Sequence, residues 1–376
     1  MAEYYAIMDL GTLPGGASSN AYGINDGGQV VGSSAVTGGN AHAFLWTPTT
    51  LLQDLGTLPG GSGSQASGIS ICGLVAGQSD LAGSGGKTHA FVWSSAGGMQ
   101  DLGTLAGDDG SEAGAINACG QVIGNSTLTA GGHLHAFIWS KAAGMVGLGV
   151  LPGFTDSGAH DINNLGQVVG YCALAGVPNR GFLWSSTAGI QPVGTLPGGL
   201  SSDAVGINDL GEIVGASDSD NVGTPHAVLW NRAGVVRDLG TLAGGSWSGA
   251  FAINVLVTVV GNGNCTGSGS HAFVWTATSG MRDLNALIAA NSGWELLEAA
   301  AINVAGQIVG VGTVNGTQHA FLLDAAVHPI VRMGPSEPSI AGRVNTCQEF
   351  VMVTNKSILS SPVLCVIVPG SPPVAT

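Results

Sequence analysis

Small and apolar residues recur along this chain in short alternating runs cut apart by Gly, Asn, Asp and Pro. In the first set, Ala21-Tyr22-Gly23-Ile24 predicts a strand, Asn25-Asp26-Gly27-Gly28 a turn and Gln29-Val30-Val31-Gly32 the partner strand of a hairpin. A polar loop, Ser33 to Ala41, leads to His42-Ala43-Phe44-Leu45-Trp46, an aromatic and aliphatic run that suits a strand packed on both faces. Leu52-Gln53-Asp54-Leu55-Gly56 predicts a fourth strand. Leu58-Pro59-Gly60-Gly61 ends its pairing, because Pro has no N–H to give and Gly favours turns.

This set recurs seven times. His42, His89, His135, Arg180, His226, His271 and His319 stand in register, 45 to 48 residues apart. Four short antiparallel strands per repeat of this length predict an all-β fold, a seven-bladed β-propeller with four-stranded antiparallel blades. Helical repeats are excluded, since the units lack a 3.6-residue period and each interior Gly would cost a helix about 1 kcal/mol relative to Ala. A parallel β-helix is the main rival, though its coils are shorter. Asp9-Leu10-Gly11-Thr12-Leu13 is a fourth-strand block that precedes the first full set, and the seventh set stops at His319-Ala320-Phe321-Leu322-Leu323. The N-terminal strand, from about Tyr4 to Leu10, is therefore expected to complete the last blade and close the ring without an exposed sheet edge. The propeller is assigned to residues 1–324. Residues 325–376 form a non-repeat C-terminal extension, read as a β-hairpin or extended chain. The departure at Asp283 to Leu296 predicts a helical turn before the seventh set.

Composition supports a packed fold. Gly at 64 residues with 9% charged residues would suggest low complexity, but 44% of the chain is hydrophobic and the glycines recur at fixed offsets, as tight turns require. A net charge of −14, from 23 acids against 9 bases, and the lack of any basic stripe exclude a nucleic-acid partner. No apolar run reaches the ~18 residues of a membrane span. The N-terminus shows no signal peptide, so either the protein is cytosolic or an export signal has been trimmed. The six cysteines form no paired C-x-x-C pattern. Cys347 and Cys365, which flank an expected hairpin, are the favoured disulfide pair in an oxidising compartment.

The His-Ala-Phe block at 42, 89, 135, 271 and 319 resembles the HAF-repeat family of probable extracellular repeat proteins, across residues 7 to 323. Asp283-Leu284-Asn285-Ala286-Leu287-Ile288-Ala289-Ala290-Asn291-Ser292-Gly293-Trp294 is similar to that family's final-repeat variant, so the repeat array is expected to end here. The resemblance implies a bacterial, secreted or surface-associated protein and no activity. It does not extend to the chain beyond Ala325.

The repeated histidines invite a metal or acid–base reading. A residue required in every repeat more often serves the repeat, so they are expected to be largely buried and hydrogen-bonded to the repeated Asn or Asp, and Arg180 would break a uniform metal ring. Trp46, Trp93, Trp139, Trp184, Trp230 and Trp275 are read as packing between blades. Chemistry is expected where the repeats differ, in loops sharing one face. Loops leading into the first strand carry Asp108, Asp109, Glu112, Phe154, Asp156, His160, Asp203 and Trp247. Loops between the second and third strands add Asp80, Lys87, His133, Asp218 and Asp220.

Together these predict an acidic rim with two aromatics, suited to a polyol, a cationic ligand or Ca²⁺. Asp108, Asp109, Glu112, Phe154, Asp156, Asp203 and Trp247 are the candidate ligand-binding residues. Asp218 and Asp220 are the candidate Ca²⁺ ligands, with oxygens at alternate positions but no EF-hand pattern. No Ser-His-Asp, G-x-S-x-G, Walker or dinucleotide motif stands out, and no catalytic residue is assigned. The expected function is a secreted or surface binding propeller that recognises a glycan or another extracellular partner. The alternatives are a carbohydrate-active hydrolase or lyase using rim carboxylates, and a structural surface protein that self-associates through its tail.

Overall fold

The computed structural model describes residues 4–83, 85–128, 131–219, 224–267 and 269–325. Its strands form seven four-stranded antiparallel sheets, the blades of a seven-bladed β-propeller. Blade 1 comprises Ser19–Ile24, Val30–Ala35, Ala41–Thr47 and Leu51–Asp54. The first strands of the other six are Ser64–Ile69, Gly110–Ile116, Asp156–Ile162, Ser202–Ile207, Ser248–Ile253 and Trp294–Ile302. Residues from all seven first strands line one shared cavity, so these strands are the inner ones and surround a central channel.

The ring closes as the offset repeats require. Tyr5–Asp9 pairs antiparallel with Thr317–Ala325, Ile7 facing Leu323 and Asp9 facing Phe321, and forms the outermost strand of blade 7. The expected helical turn is a single 3₁₀ turn, Leu284–Leu287, capped by the Asp283 side chain. Of the C-terminal extension only Ala325, the end of the last strand, is described; the rest of it, with Cys347 and Cys365, lies outside the described residues.

Hydrophobic residues fill seven wedges, one at each junction between neighbouring blades. Phe44, Phe91, Phe137, Phe182, Phe273 and Phe321 are fully buried, so the His-Ala-Phe block mainly supplies this packing. Burying each ring stabilises the fold by about 1.5–3 kcal/mol. Trp46, Trp93, Trp139, Trp230 and Trp275 are buried in the same wedges, as expected of inter-blade packing, and Trp184 is half-buried.

Each inner strand carries a bulge at the same place, after the repeated Ala. Ala21, Ala66, Ala113, Ala159, Ala204, Ala250 and Ala299 pair in register, and the next residue on the inner strand is skipped. The last Gly of Gln-Val-Val-Gly lies under this bulge. A Cβ on Gly32, Gly77, Gly124, Gly170, Gly215, Gly261 or Gly310 would overlap an inner-strand carbonyl oxygen, which explains why no larger residue stands there.

The buried Asn of Gly-Ile-Asn both shapes its turn and joins the blades. The Oδ1 of Asn25 accepts from Gly27 N and Gln29 N, while its Nδ2 donates to Gln29 Oε1 and, across the junction, to the Ser70 carbonyl at 3.0 Å. Asn117, Asn163, Asn208, Asn254 and Asn303 donate in the same way to the next blade at 3.1–3.2 Å, and Asn303 reaches the Asn25 carbonyl across the seam. Blade 2 breaks this circuit. Ser70 stands in place of Asn, and its hydroxyl accepts only from Leu74 N within its own turn. Asn208→Ala should cost about 1–3 kcal/mol of unfolding free energy by leaving a buried carbonyl unpaired, and Ser70→Asn should gain about 0.5–1.5 kcal/mol by completing the circuit. Urea unfolding of the two variants checks both signs.

Candidate functional site

The repeated histidines form a regular structural doublet. Nδ1 lies 2.9 Å from a carboxylate oxygen in His42–Asp54 and His89–Asp101, 3.0 Å in His226–Asp238, 2.7 Å in His271–Asp283 and 2.9 Å in His319–Asp9 across the seam. The same aspartates hold the following turn, as where Asp54 Oδ1 accepts from Gly56 N. Hydrogen bonding to Asp agrees with expectation, and the rings expected to be largely buried are partly buried. Side-chain exposure ranges from 16% at His271 to 39% at His135. Two blades lack the doublet's Asp. In blade 3, Gly147 stands there and Asp108 pairs with His135 instead, at 2.9 Å; in blade 4, Arg180 and Pro192 replace both partners.

The candidate residues divide into separate sets. Asp108 is taken up by His135, and Asp109 by Lys87 at 2.6 Å. Asp156 accepts from Leu134 N, Thr155 Oγ1 and His133, and these bonds hold its carboxyl below the usual value although burial pushes it up. Phe154 packs into the blade 3–4 wedge and lines a groove with Arg180. Trp247 is half-buried just before its strand, its N–H donating to Asn264 Oδ1. Asp218 is buried, with Oδ1 accepting from Leu200 N and Ser201 N, the clasp that Asp80 makes with Ser62 N and Gly63 N. Asp220 lies outside the described residues. Glu112, Asp156 and Asp203 belong to inner strands and not to loops.

Glu112 and Asp203 stand on inner strands beside a channel wall that the loop-centred reading missed. The bulges turn Tyr22, Ser67, Gly114, His160, Val205, Phe251 and Ala300 onto a cavity of about 380 Å³ in the channel. The residues just before the repeated Ala are Asn20, Gln65, Glu112, Gly158, Asp203, Gly249 and Glu298. These two positions vary among the blades, whereas the Ala between them never does. Aligning the seven inner strands on that Ala would have exposed the pattern.

Blades 3 to 5 and blade 7 concentrate titratable groups there. His160 Nε2 lies 3.3 Å from Asp203 Oδ1, and both atoms are shielded from solvent without the alignment of a hydrogen bond. Tyr171, from the second strand of blade 4, stacks on His160 with ring centres 5.3 Å apart. It occupies the space that a Cβ on Gly158 would need. Burial, then the charges of Asp203, Glu112 and Asp156, push its phenol up. Asp161, next to the bulge, accepts from Ile207 N and Ile162 N at 2.9 and 2.8 Å, and burial nonetheless pushes its carboxyl up to about 6. Burial also raises Glu298. No Lys or Arg is among the residues lining the channel cavities or the side pocket beside Tyr171. The wall therefore offers carboxylate acceptors and aromatic faces to hydroxyl or cationic groups, and repels anions.

Three solved structures show how widely this shape is used. A virginiamycin B lyase from Staphylococcus aureus matches with a TM-score of 0.53 at 11% identity, over 86% of this chain and 99% of its own. The β-propeller domain of the Trilobed protease from Pyrococcus furiosus matches at 0.55 and 10% identity, over 82% and 96%. A puromycin hydrolase variant matches at 0.53 and 14% identity, over 79% and 50%. At such identities the likeness establishes the propeller fold alone. No protein-family model and no curated protein sequence matches the chain.

The raised carboxyl of Asp161 gives a signed pH effect. Between the unfolded value of 3.8 and about 6, the native carboxyl keeps a proton that the unfolded chain has released, so this contribution to stability is present below 3.8 and is lost as pH rises through about 6. Relative to Asp161→Asn, the wild type should lose stability over that window and hold level above it, as measured by urea unfolding at a series of pH values. A wild-type stability that rose relative to Asp161→Asn as pH increased would contradict the assignment.

Proposed function

We infer that this protein is a binding propeller, working outside the cell or at its surface, whose channel wall recognises a glycan. The observation carrying the reading is the convergence of non-repeating inner-strand residues on one cavity, whose lining includes His160, itself 3.3 Å from the Asp203 carboxylate. A sugar hydroxyl can donate to a carboxylate and accept from an imidazole, the two kinds of group that this wall holds together. Tyr22, Phe251 and Tyr171 supply apolar faces for sugar C–H groups, and the lack of basic lining residues favours neutral or amino sugars over acidic ones. Calcium at Asp218 draws no support from the geometry, since one carboxylate oxygen already holds two backbone N–H groups.

The enzyme alternative rests on a narrower observation. His160 and Asp161 are adjacent on the wall, and a carboxyl near pH 6 suits proton transfer. Propellers of similar shape include proteins named as a lyase and a hydrolase.

A glycan array followed by calorimetry on the full chain separates these readings. Binding should weaken at least about tenfold in Asp203→Asn and in His160→Ala, equivalent to 1.4 kcal/mol, and stay within about twofold in Asp109→Asn, whose carboxylate is spent on Lys87. No glycan bound, or binding indifferent to both channel variants, would sink the proposal. Release of cleaved sugar from a bound polysaccharide would instead establish the hydrolase or lyase.

A further inference from the structure

Blade 6 differs from its sister blades in carrying a thiol just after its second strand. Cys265 follows the second strand, Val259–Asn264, where blades 1, 2 and 3 carry Val36, Leu81 and Leu128. Its Sγ lies 3.4 Å from Nδ1 of His271, and the same nitrogen lies 2.7 Å from Asp283 Oδ2. All three donor atoms fall within 4.8 Å of one another.

This is the wrong arrangement for a nucleophilic relay. A thiol–imidazole–carboxylate chain uses both ring nitrogens, one to accept from the thiol and the other to donate to the acid. Here both partners converge on Nδ1, which can hold a proton for Asp283 or a lone pair for the thiol, but not both at once. A cation in place of that proton satisfies all three groups. Bonds of about 2.0–2.3 Å place neighbouring donors of a tetrahedral zinc site roughly 3.3–3.8 Å apart. The Sγ to Nδ1 distance is already in that range, and the Nδ1 to Oδ2 distance need open by only about 0.6 Å.

The surroundings suit an ion as well. Asp283 divides its two oxygens: Oδ1 accepts from Asn285 N and Nδ2, holding the cap of Leu284–Leu287, which leaves Oδ2 free to ligate without loss of the cap. Glu295 Oε1 lies 3.9 Å from His271 Nε2, the place of the outer carboxylate that orients a metal-bound imidazole. The other His–Asp doublets have no sulfur beside them among the described residues.

We propose that Cys265, His271 and Asp283 form a site for a divalent transition-metal ion, zinc in the first instance, with one position left for water or an added donor. Thiolate and imidazole select zinc over calcium or magnesium. On binding, the thiol releases one proton to solvent and the imidazole proton moves from Nδ1 to Nε2, facing Glu295. The ion ties the loop after the second strand to the end of the outer strand and to the 3₁₀ turn that leads into blade 7. That junction is built differently from the rest. In blades 1 to 6 a Ser hydroxyl accepts from the neighbouring blade's third strand, as Ser64 does from Ala43 N, whereas blade 7 has Leu297 at this position and Asn285 clasps Leu296 instead.

Cobalt substitution tests the site in the full chain with Cys72, Cys119, Cys347 and Cys365 changed to Ser. The expected result is one cobalt per chain with a thiolate-to-metal charge-transfer band, displaced by zinc. Cys265→Leu, which installs the residue found in blade 2, should abolish the band and weaken zinc binding at least tenfold, with an unchanged metal-free melting temperature. His271→Gln should likewise abolish the band and weaken zinc at least tenfold, and Glu295→Gln should weaken zinc about tenfold. Absence of the band in the parent, or its survival in Cys265→Leu, would overturn the proposal. Should the Leu variant melt early, Cys265→Ser repeats the test with a near-isosteric side chain.

Discussion

A carboxamide from one blade hydrogen-bonded to a backbone carbonyl of the next is the joint on which this molecule depends. A four-stranded sheet has two faces to cover and cannot cover either alone, so each blade is stable only at a fixed distance and tilt from its neighbours. Hydrophobic wedges supply most of the free energy but little direction, since burial is proportional to area and indifferent to register. The buried Asn of Gly-Ile-Asn supplies the direction. Its Oδ1 closes the turn of its own blade while its Nδ2 reaches across, so local turn geometry and the placement of the next blade cannot be adjusted independently. Asn303 repeats the bond across the seam to Asn25, so the closing junction is held at the channel as well as by the borrowed outer strand.

The same economy of position creates the channel wall. A bulge after the repeated Ala turns the following residue toward the cavity, and the Gly beneath it leaves room for the displaced inner strand. Scaffold requirements thus fall on Ala, Gly and Asn, and the residues flanking that Ala are released from them. Tyr22, Ser67, Gly114, His160, Val205, Phe251 and Ala300 share one structural position with little chemistry in common. A cavity built this way can change its chemistry blade by blade without disturbing the fold.

This division also explains what the sequence made legible. Repetition carries the fold because every blade faces the same constraints, and the offset of Asp9 to Leu13 carries the closure because a borrowed strand must come from the far end of the chain. The channel wall was harder to read. Its residues are interspersed among invariant ones within strands, so a search for departures in loops found Glu112 and Asp203 by their charge, noted His160 without its partners and passed over Asp161, Tyr171 and Glu298. Loop acids such as Asp108 and Asp109 attract notice by sequence alone, but their partners, His135 and Lys87, lie 27 and 22 residues away and become apparent only when the blades are assembled.

Departures from the repeat can be sorted by whether the structure compensates them. Where Gly147 removes the Asp of a doublet, Asp108 takes over its His; where Arg180 replaces the His, Pro192 has replaced the Asp; where blade 7 lacks the bridging Ser, Asn285 makes another clasp. These are repairs, and they show that the doublet and the bridge are kept as units for structural reasons. His160 and Asp203 are different. The two atoms face each other at 3.3 Å as an ion pair without the alignment of a hydrogen bond, a looser pairing than the repeated doublets make. Like Ser70, which leaves the Asn circuit open, this departure stands without a structural replacement, and it does so beside the channel cavity that His160 lines.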